Sequence, residues 1–275
     1  NYITRKVGDK LNSLFKKDRA AFEEKWNEIK VVIEYGMLSE DKFYEKAEKF
    51  ALYPTVNGDF FTIEELKEAT KDLQTDKDDK LVILYASNVD EQHAYIEAAK
   101  EKGYQVILLD SPIVSHLIQK LEASNENVSF ARVDGDAIEN LIKKDEATVS
   151  KLSDEEKEKL QPIIEAVVPK EKYTVQLEAL SSTQLPFVLT QPEFMRRMKE
   201  MQQAGGNGMF GNFPEMFTLV VNTNHPLIEQ ILNTKTEKKR ERLIQQTLDL
   251  ARLSQNLLKG EELTKFIQRS VELIK

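Results

Sequence analysis

Three short apolar runs, "KLVILYAS" (80–87), "YQVILLD" (104–110) and "VSFARV" (128–133), are separated by two amphipathic stretches, "DEQHAYIEAAKEKG" and "IVSHLIQKLE". Each run has the length and the β-branched and aromatic content of a buried strand, and each stretch between them has the period of a helix. Strands that alternate with helices must run parallel, because each helix carries the chain back to the same end of the sheet. Residues 80–133 are therefore expected to form a small three-strand parallel sheet with helices against its faces. Asp90 is expected to cap the first of these helices and Gly103 to stop it.

Helical spacing governs what precedes this unit. Ile3, Val7, Leu11 and Leu14 share one face, and Phe22, Trp26, Ile29 and Ile33 share another. Ser39 is placed to cap a third helix carrying Phe43, Ala47 and Phe50. Thr62 with Glu65 reads as a capping box, and Phe61 with Leu66 as a hydrophobic staple. After residue 135 comes a charged, largely helical connector, "DAIENLIKKDE" and then "SDEEKEKLQPIIEAVVP", with Ser153 and Glu156 as a second capping box. The strands "YTVQLEAL", "PFVLT" and "FTLVV" follow, then the short helix "HPLIEQIL" and two closing helices around Gly260. The fold class is α/β and α+β in two domains. The first, 1–135, comprises helices over 1–53 and a small α/β subdomain over 54–135. The second, 136–275, opens with a connector helix at 136–150 and ends in a helix hairpin.

Composition narrows the function. The formal charge of −8 argues against a general nucleic-acid binder, whose footprint is a basic surface. The absence of cysteine removes thiolate nucleophiles and cysteine-based zinc sites, and no apolar run approaches a membrane span. Gly206, Gly208 and Gly211 match GxGxxG, but they follow a helix and precede a strand, the reverse of a dinucleotide fold. The turn "ASNVD" after the first parallel strand has no glycine for close phosphate approach. Only three histidines are present. His93 reads as a surface residue and His225 as a hydrogen-bonded turn residue at a helix start.

What stands out is "EFMRRMKEMQQAGGNGMFGNFPEMF" (193–217), which holds five of the six methionines. On a helix, Phe194, Met198 and Met201 fall in one stripe with Met195 at its edge. Met209 and Phe210 follow on a glycine-rich tether. Methionine repacks against many shapes and suits surfaces that take varied partners. The same stripe could equally face the chain's own core. In the closing helices, Leu243, Leu250, Leu257, Leu263, Phe266, Ile267, Val271 and Ile274 place apolar residues on more than one side. Two such hairpins joined about a two-fold axis would make a four-helix bundle and a homodimer. Packing onto the chain's own strands is the other possibility.

Several segments resemble the heat-shock protein 90 chaperones. "FTLVVNTNHPLIEQIL" resembles the family's "LN…HPL" segment, and "YITRKVGDKLNSLFKKD" resembles the helix opening the later part of its middle domain. "KLVILYASNVDEQHAYIEAAKEKGYQVILLDSPI" resembles the small α/β subdomain that follows there. The ending "FIQRSVELIK", without an acidic EEVD tail or a KDEL signal, is similar to the bacterial, cytoplasmic member.

The resemblance implies an ATP-dependent chaperone, of which this chain is the end of the middle domain plus the C-terminal dimerisation domain. It implies that ATP, Mg and the catalytic arginine belong to the preceding part of the protein, so this chain is expected to be no enzyme and to hold no cofactor. It implies a client-contact role for Phe194, Met195, Met198, Met201, Met209 and Phe210, and a second client patch near His116 and Gln119. It also implies that non-native proteins are the partners and that tetratricopeptide co-chaperones lack their docking tail. Two alternatives from other classes are a small-molecule enzyme using the α/β unit at 80–133 and a purely structural dimerisation segment.

Overall fold

A computed structural model of the chain describes residues 2–145, 148–204 and 215–274. By packing, these fall into two compact units. The first takes in residues 2–90, 99–133 and 197–204, and the second holds the rest.

The first unit opens with three helices, α1 (Tyr2–Lys17), α2 (Arg19–Ser39) and α3 (Asp41–Ala47). Asp18 separates the first two, and its carboxylate accepts from the Ala21 N–H as the cap of α2. Ser39 does not cap α3, as its sequence position suggests. It is the last residue of α2, and its hydroxyl donates back to the Tyr35 carbonyl, which leaves Glu40 at the α3 cap position. Gly36 is required where these helices cross, because a Cβ there would stand 2.8 Å from the Phe43 ring. The hairpin of β1 (Tyr53–Pro54) and β2 (Phe60–Phe61) leads into α4 (Ile63–Gln74). The capping box on α4 is complete: Glu65 N donates to Thr62 Oγ1 and Thr62 N to Glu65 Oε2.

The parallel sheet follows as expected, with β3 (Leu81–Ala86) at its centre. On either side lie β4 (Val106–Leu108) and β5 (Val128–Arg132), both parallel to β3. Their connections are α5 (His93–Glu101) and α6 (Val114–Ser124). Asp90 is not the α5 cap. Its N–H is taken by Asn88 in a local turn, and the helix starts three residues later. Gly103, at φ +74°, ends the helix as read. Trp26, Met37, Phe50, Leu66, Ile83 and Tyr85 contribute to one core.

In the second unit the connector, among its described residues, is helical for one turn, α7 (Ile138–Leu141), rather than across 136–150. Asp136 accepts from the Ala137 N–H and from the Asn140 side chain. Beyond it, α8 (Asp154–Glu165) carries the expected Ser153–Glu156 capping box. A mixed sheet follows, built from β6 (Tyr173–Glu178), β7 (Phe187–Thr190) and β8 (Phe217–Asn222). The last strand lies in the middle, parallel to β6 and antiparallel to β7. Between β7 and β8 in the chain runs α9 (Glu193–Ala204), of which residues 193–196 belong to this unit and 197–204 to the first, and after β8 come α10 (Pro226–Asn233), α11 (Glu237–Ser254) and α12 (Gly260–Ile274). Leu160, Ile164, Phe187, Leu219, Ile231, Ile244 and Leu248 form the shared core. The helix read across 237–258 stops at Ser254, so Leu257 and Leu258 pack from the connecting turn.

Candidate functional site

Phe194, Met198 and Met201 sit on α9 at the i, i+4, i+7 spacing of a stripe. Phe194, Met195 and Met201 are exposed and Met198 is half-buried. The inward side of the helix is charged instead. Arg196 is buried, and its Nη2 donates to Glu193 Oε1 at 2.6 Å. Arg197 makes a bidentate pair with Glu122 of α6, at 2.9 and 3.2 Å, and its Nη2 also donates to the Phe130 carbonyl at 2.7 Å. Glu200 accepts from the Ser115 hydroxyl of α6 and from Arg132 Nη1 of β5 at 3.5 Å. An amphipathic helix normally buries its apolar face. Here ion pairs hold the charged side inward and the methionines and phenylalanine face out. Sequence periodicity marked the stripe without indicating which way it turns. Met209 and Phe210 lie outside the described residues.

His116 and Gln119 stand on α6, half-buried and exposed respectively. Ser115, which bonds Glu200, is the neighbour of His116, and Glu122, which bonds Arg197, lies one helical turn beyond Gln119. The structure thus ties α6 to the part of α9 that carries Met198 and Met201.

The closing hairpin repeats the arrangement. Its seam is polar: Gln246 Nε2 donates to Ser270 Oγ at 2.7 Å, Arg269 pairs with Asp249, and Arg242 with Glu272. Arg252 donates to Asp249 at 3.1 Å and to Glu262 at 2.5 and 3.2 Å. Ile267, Val271 and Ile274, again at i, i+4, i+7, form an exposed stripe on α12, and Leu250 is exposed on α11. Leu243 and Leu257 pack against this unit's own core, Phe266 is buried and Leu263 is half-buried. Leu253 is exposed beside Leu250 and went unnoticed in the sequence. Its spacing of three from Leu250 was the available signal.

The segment "NTNHPL" (222–227) is a structural hub. The Asn224 side chain donates to the carbonyls of Val149 and Leu180, both at 3.0 Å, and accepts from Lys151 N at 2.7 Å. Asn222 Nδ2 donates to the Ser181 carbonyl at 2.8 Å. His225 caps α10, with Nδ1 accepting from Leu227 N at 3.0 Å, so its proton sits on Nε2. Burial lowers the His225 pKa below its usual 6.5, which keeps the neutral, cap-competent ring. Among the described residues no group of three or more His, Asp or Glu comes together that could hold a metal ion. No described helix is long and apolar enough to cross a membrane.

The two units, with a parallel three-strand sheet in one and a mixed sheet ending in a helix hairpin in the other, are matched from residue 1 to 274 by the model of the family "Hsp90 protein". The chain belongs to this family of chaperones. It is 38% identical to "Chaperone protein htpG" of Bacteroides fragilis (strain YCH46), over 99% of this chain and 50% of that protein. It is 42% identical to "Chaperone protein HtpG" of Porphyromonas gingivalis (strain ATCC 33277), over 86% of this chain and 35% of that one. A more distant HtpG, from Bdellovibrio bacteriovorus, is 23% identical over 86% of the chain. The chain spans about half the length of the Bacteroides relatives it matches. Family membership does not favour a small-molecule enzyme built on the α/β unit.

Proposed function

We propose that this chain is the dimerising, client-holding portion of a bacterial chaperone. The observation that carries the reading is α9, with Phe194, Met195 and Met201 outward while Arg196 is buried. Exposed apolar side chains of this flexible kind, rimmed by charge, suit non-native proteins, whose own apolar segments are exposed and varied. Binding here is adaptable burial of apolar surface and involves no covalent step. His116 and Gln119 on α6 extend the contact surface.

The stripe of Ile267, Val271 and Ile274, with Leu250 and Leu253, supports a two-fold four-helix bundle as the homodimer contact. In this reading residues 1–135 are the end of a middle domain and 136–275 the dimerisation domain. The ATP and Mg chemistry of the parent belongs to the part of the relatives' length that this chain does not span. Its setting is the bacterial cytoplasm.

Analytical ultracentrifugation of the chain, alone and with a chemically unfolded model protein, tests both halves. The expected result is a dimer that co-sediments with the unfolded protein and not with its native form. A monomer indifferent to the unfolded protein would overturn the reading.

A further inference from the structure

The small parallel sheet ends on one side at β5, an edge strand. An edge exposes backbone donors and acceptors that must be paired or covered. At Phe130 both are taken by side chains: its N–H donates to Glu122 Oε1 at 2.8 Å, and its carbonyl accepts from Arg197 at 2.7 Å. Since Glu122 also receives both Nη atoms of Arg197, one carboxylate and one guanidinium cover the strand edge at Phe130 and seat residues 197–204 of α9 there. Arg132 of the same strand and Ser115 of α6 hold Glu200, one turn further along α9.

We infer that Arg197 and Glu200 are positioning residues for the client-contact stripe: their ionic seat on Glu122, Arg132, Ser115 and the Phe130 carbonyl fixes which face α9 turns outward. The inference rests on the client-holding reading above and adds what controls it. A helix of 12 residues is marginal by itself in water, so its order depends on what it docks against. Hydrophobicity alone would turn Met198 and Met201 toward the nearest apolar surface and hide them. The bidentate pair opposes that rotation, because the planar fork of Arg197 meets Glu122 and the Phe130 carbonyl in one orientation only. Glu122 is a fixed partner, anchored by the Phe130 N–H. A lysine at 197 would keep the charge and lose the fork.

The test uses the full chain with three changes, Arg197→Glu, Arg197→Lys and Glu122→Gln. One readout is amide hydrogen exchange across 193–204, which needs no client. The other is fluorescence-anisotropy binding of a labelled, reduced and carboxymethylated lactalbumin, a permanently unfolded probe. For Arg197→Glu, exchange is expected to rise at least tenfold and probe affinity to fall at least fivefold. Arg197→Lys and Glu122→Gln should give smaller changes in the same direction. Unchanged exchange in all three would show that the seat does not hold the helix and would overturn the inference whatever the probe does. Faster exchange with unchanged affinity would overturn the positioning role alone. If the unaltered chain ignores the probe, the client-holding reading fails, and the inference falls with it.

Discussion

Phe194 and Arg196, two residues apart on α9, have exchanged the burials their chemistries favour: the phenyl ring is 74% exposed and the arginine 4%. Leaving a Phe side chain in water instead of burying it forgoes about 1.5–3 kcal/mol, and an arginine is rarely fully buried unless paired. The pairing is present, since Arg196 donates to Glu193 and Arg197 to Glu122. Electrostatics and hydrogen bonding, rather than apolar burial, decide the orientation of this helix. The surface left outward is apolar, which is where the chaperone reading begins.

Met198→Glu combined with Met201→Glu should therefore abolish binding of an unfolded protein while leaving the fold intact. Met201 is exposed and Met198 only half-buried, so the expected cost in stability is within about 1 kcal/mol. Thermal unfolding and probe binding measured side by side separate the two effects. A variant that unfolds would make the stripe part of the core and withdraw its assignment as a contact surface.

How far the sequence revealed this depends on how local each feature is. The two capping boxes, the parallel direction of β3, β4 and β5, and the Gly103 stop were legible because each depends on neighbours in the chain or on a run of consecutive apolar residues. The Asp90 cap misread because the Asn88 side chain accepts from the Asp90 backbone N–H in a turn that comes before the helix, and the Ser39 cap because its own hydroxyl donates to the Tyr35 carbonyl. The facing of α9 was not legible at all. It is set by Arg197 meeting Glu122, 75 positions away, and periodicity carries no record of that distance. The closing hairpin has the same cause: a polar seam from Asp249 to Arg269 turns Ile267 and Val271 outward.

That outward stripe predicts a dimer that breaks without unfolding. Ile267→Lys with Val271→Lys places two charges in the proposed bundle, and both positions are about half exposed in the single chain. Burying an unpaired charge is strongly unfavourable, so dissociation should strengthen by roughly 100-fold or more. Sedimentation velocity across a concentration series checks this, with circular dichroism to confirm helix content. A variant that still sediments as a dimer at micromolar concentration would place the contact elsewhere.

Asp249 tests the seam itself. The residue is 2% exposed and its carboxylate accepts from Arg252 and Arg269 at once. Asp249→Ala leaves two partly buried guanidiniums short of a partner, and the expected loss is about 3 kcal/mol. Urea unfolding followed by circular dichroism measures it. A loss under about 1 kcal/mol would mean that water satisfies the arginines and that the hairpin is held by Phe266 and its neighbours instead.

Glu34 on α2 gives the chain a pH dependence of unusual sign. It is buried, its Oε2 has no hydrogen-bond partner among the described residues, and burial pushes its pKa above the ordinary 4.5, with the Ser111 hydroxyl and Lys30 opposing and Asp110 adding to the rise. As pH climbs past 4.5 the unfolded chain loses this proton first while the folded chain keeps it, so the folded state binds more protons and stability falls. The loss is complete once pH has passed the raised folded value. Glu34→Gln keeps the shape and removes the titration, so the variant should be more stable than the parent at pH 8. At pH 4.5, where the raised pKa leaves more of the carboxyl protonated in the fold than in the unfolded chain, the two should be closer. Trp26, the single tryptophan, is buried on the same helix and reports this unit's unfolding by its fluorescence. Urea midpoints for both proteins at the two pH values decide the matter. A Gln variant less stable than the parent at pH 8 would mean that the Glu34 carboxylate is charged and well paired in the fold, and the sign argued here would reverse.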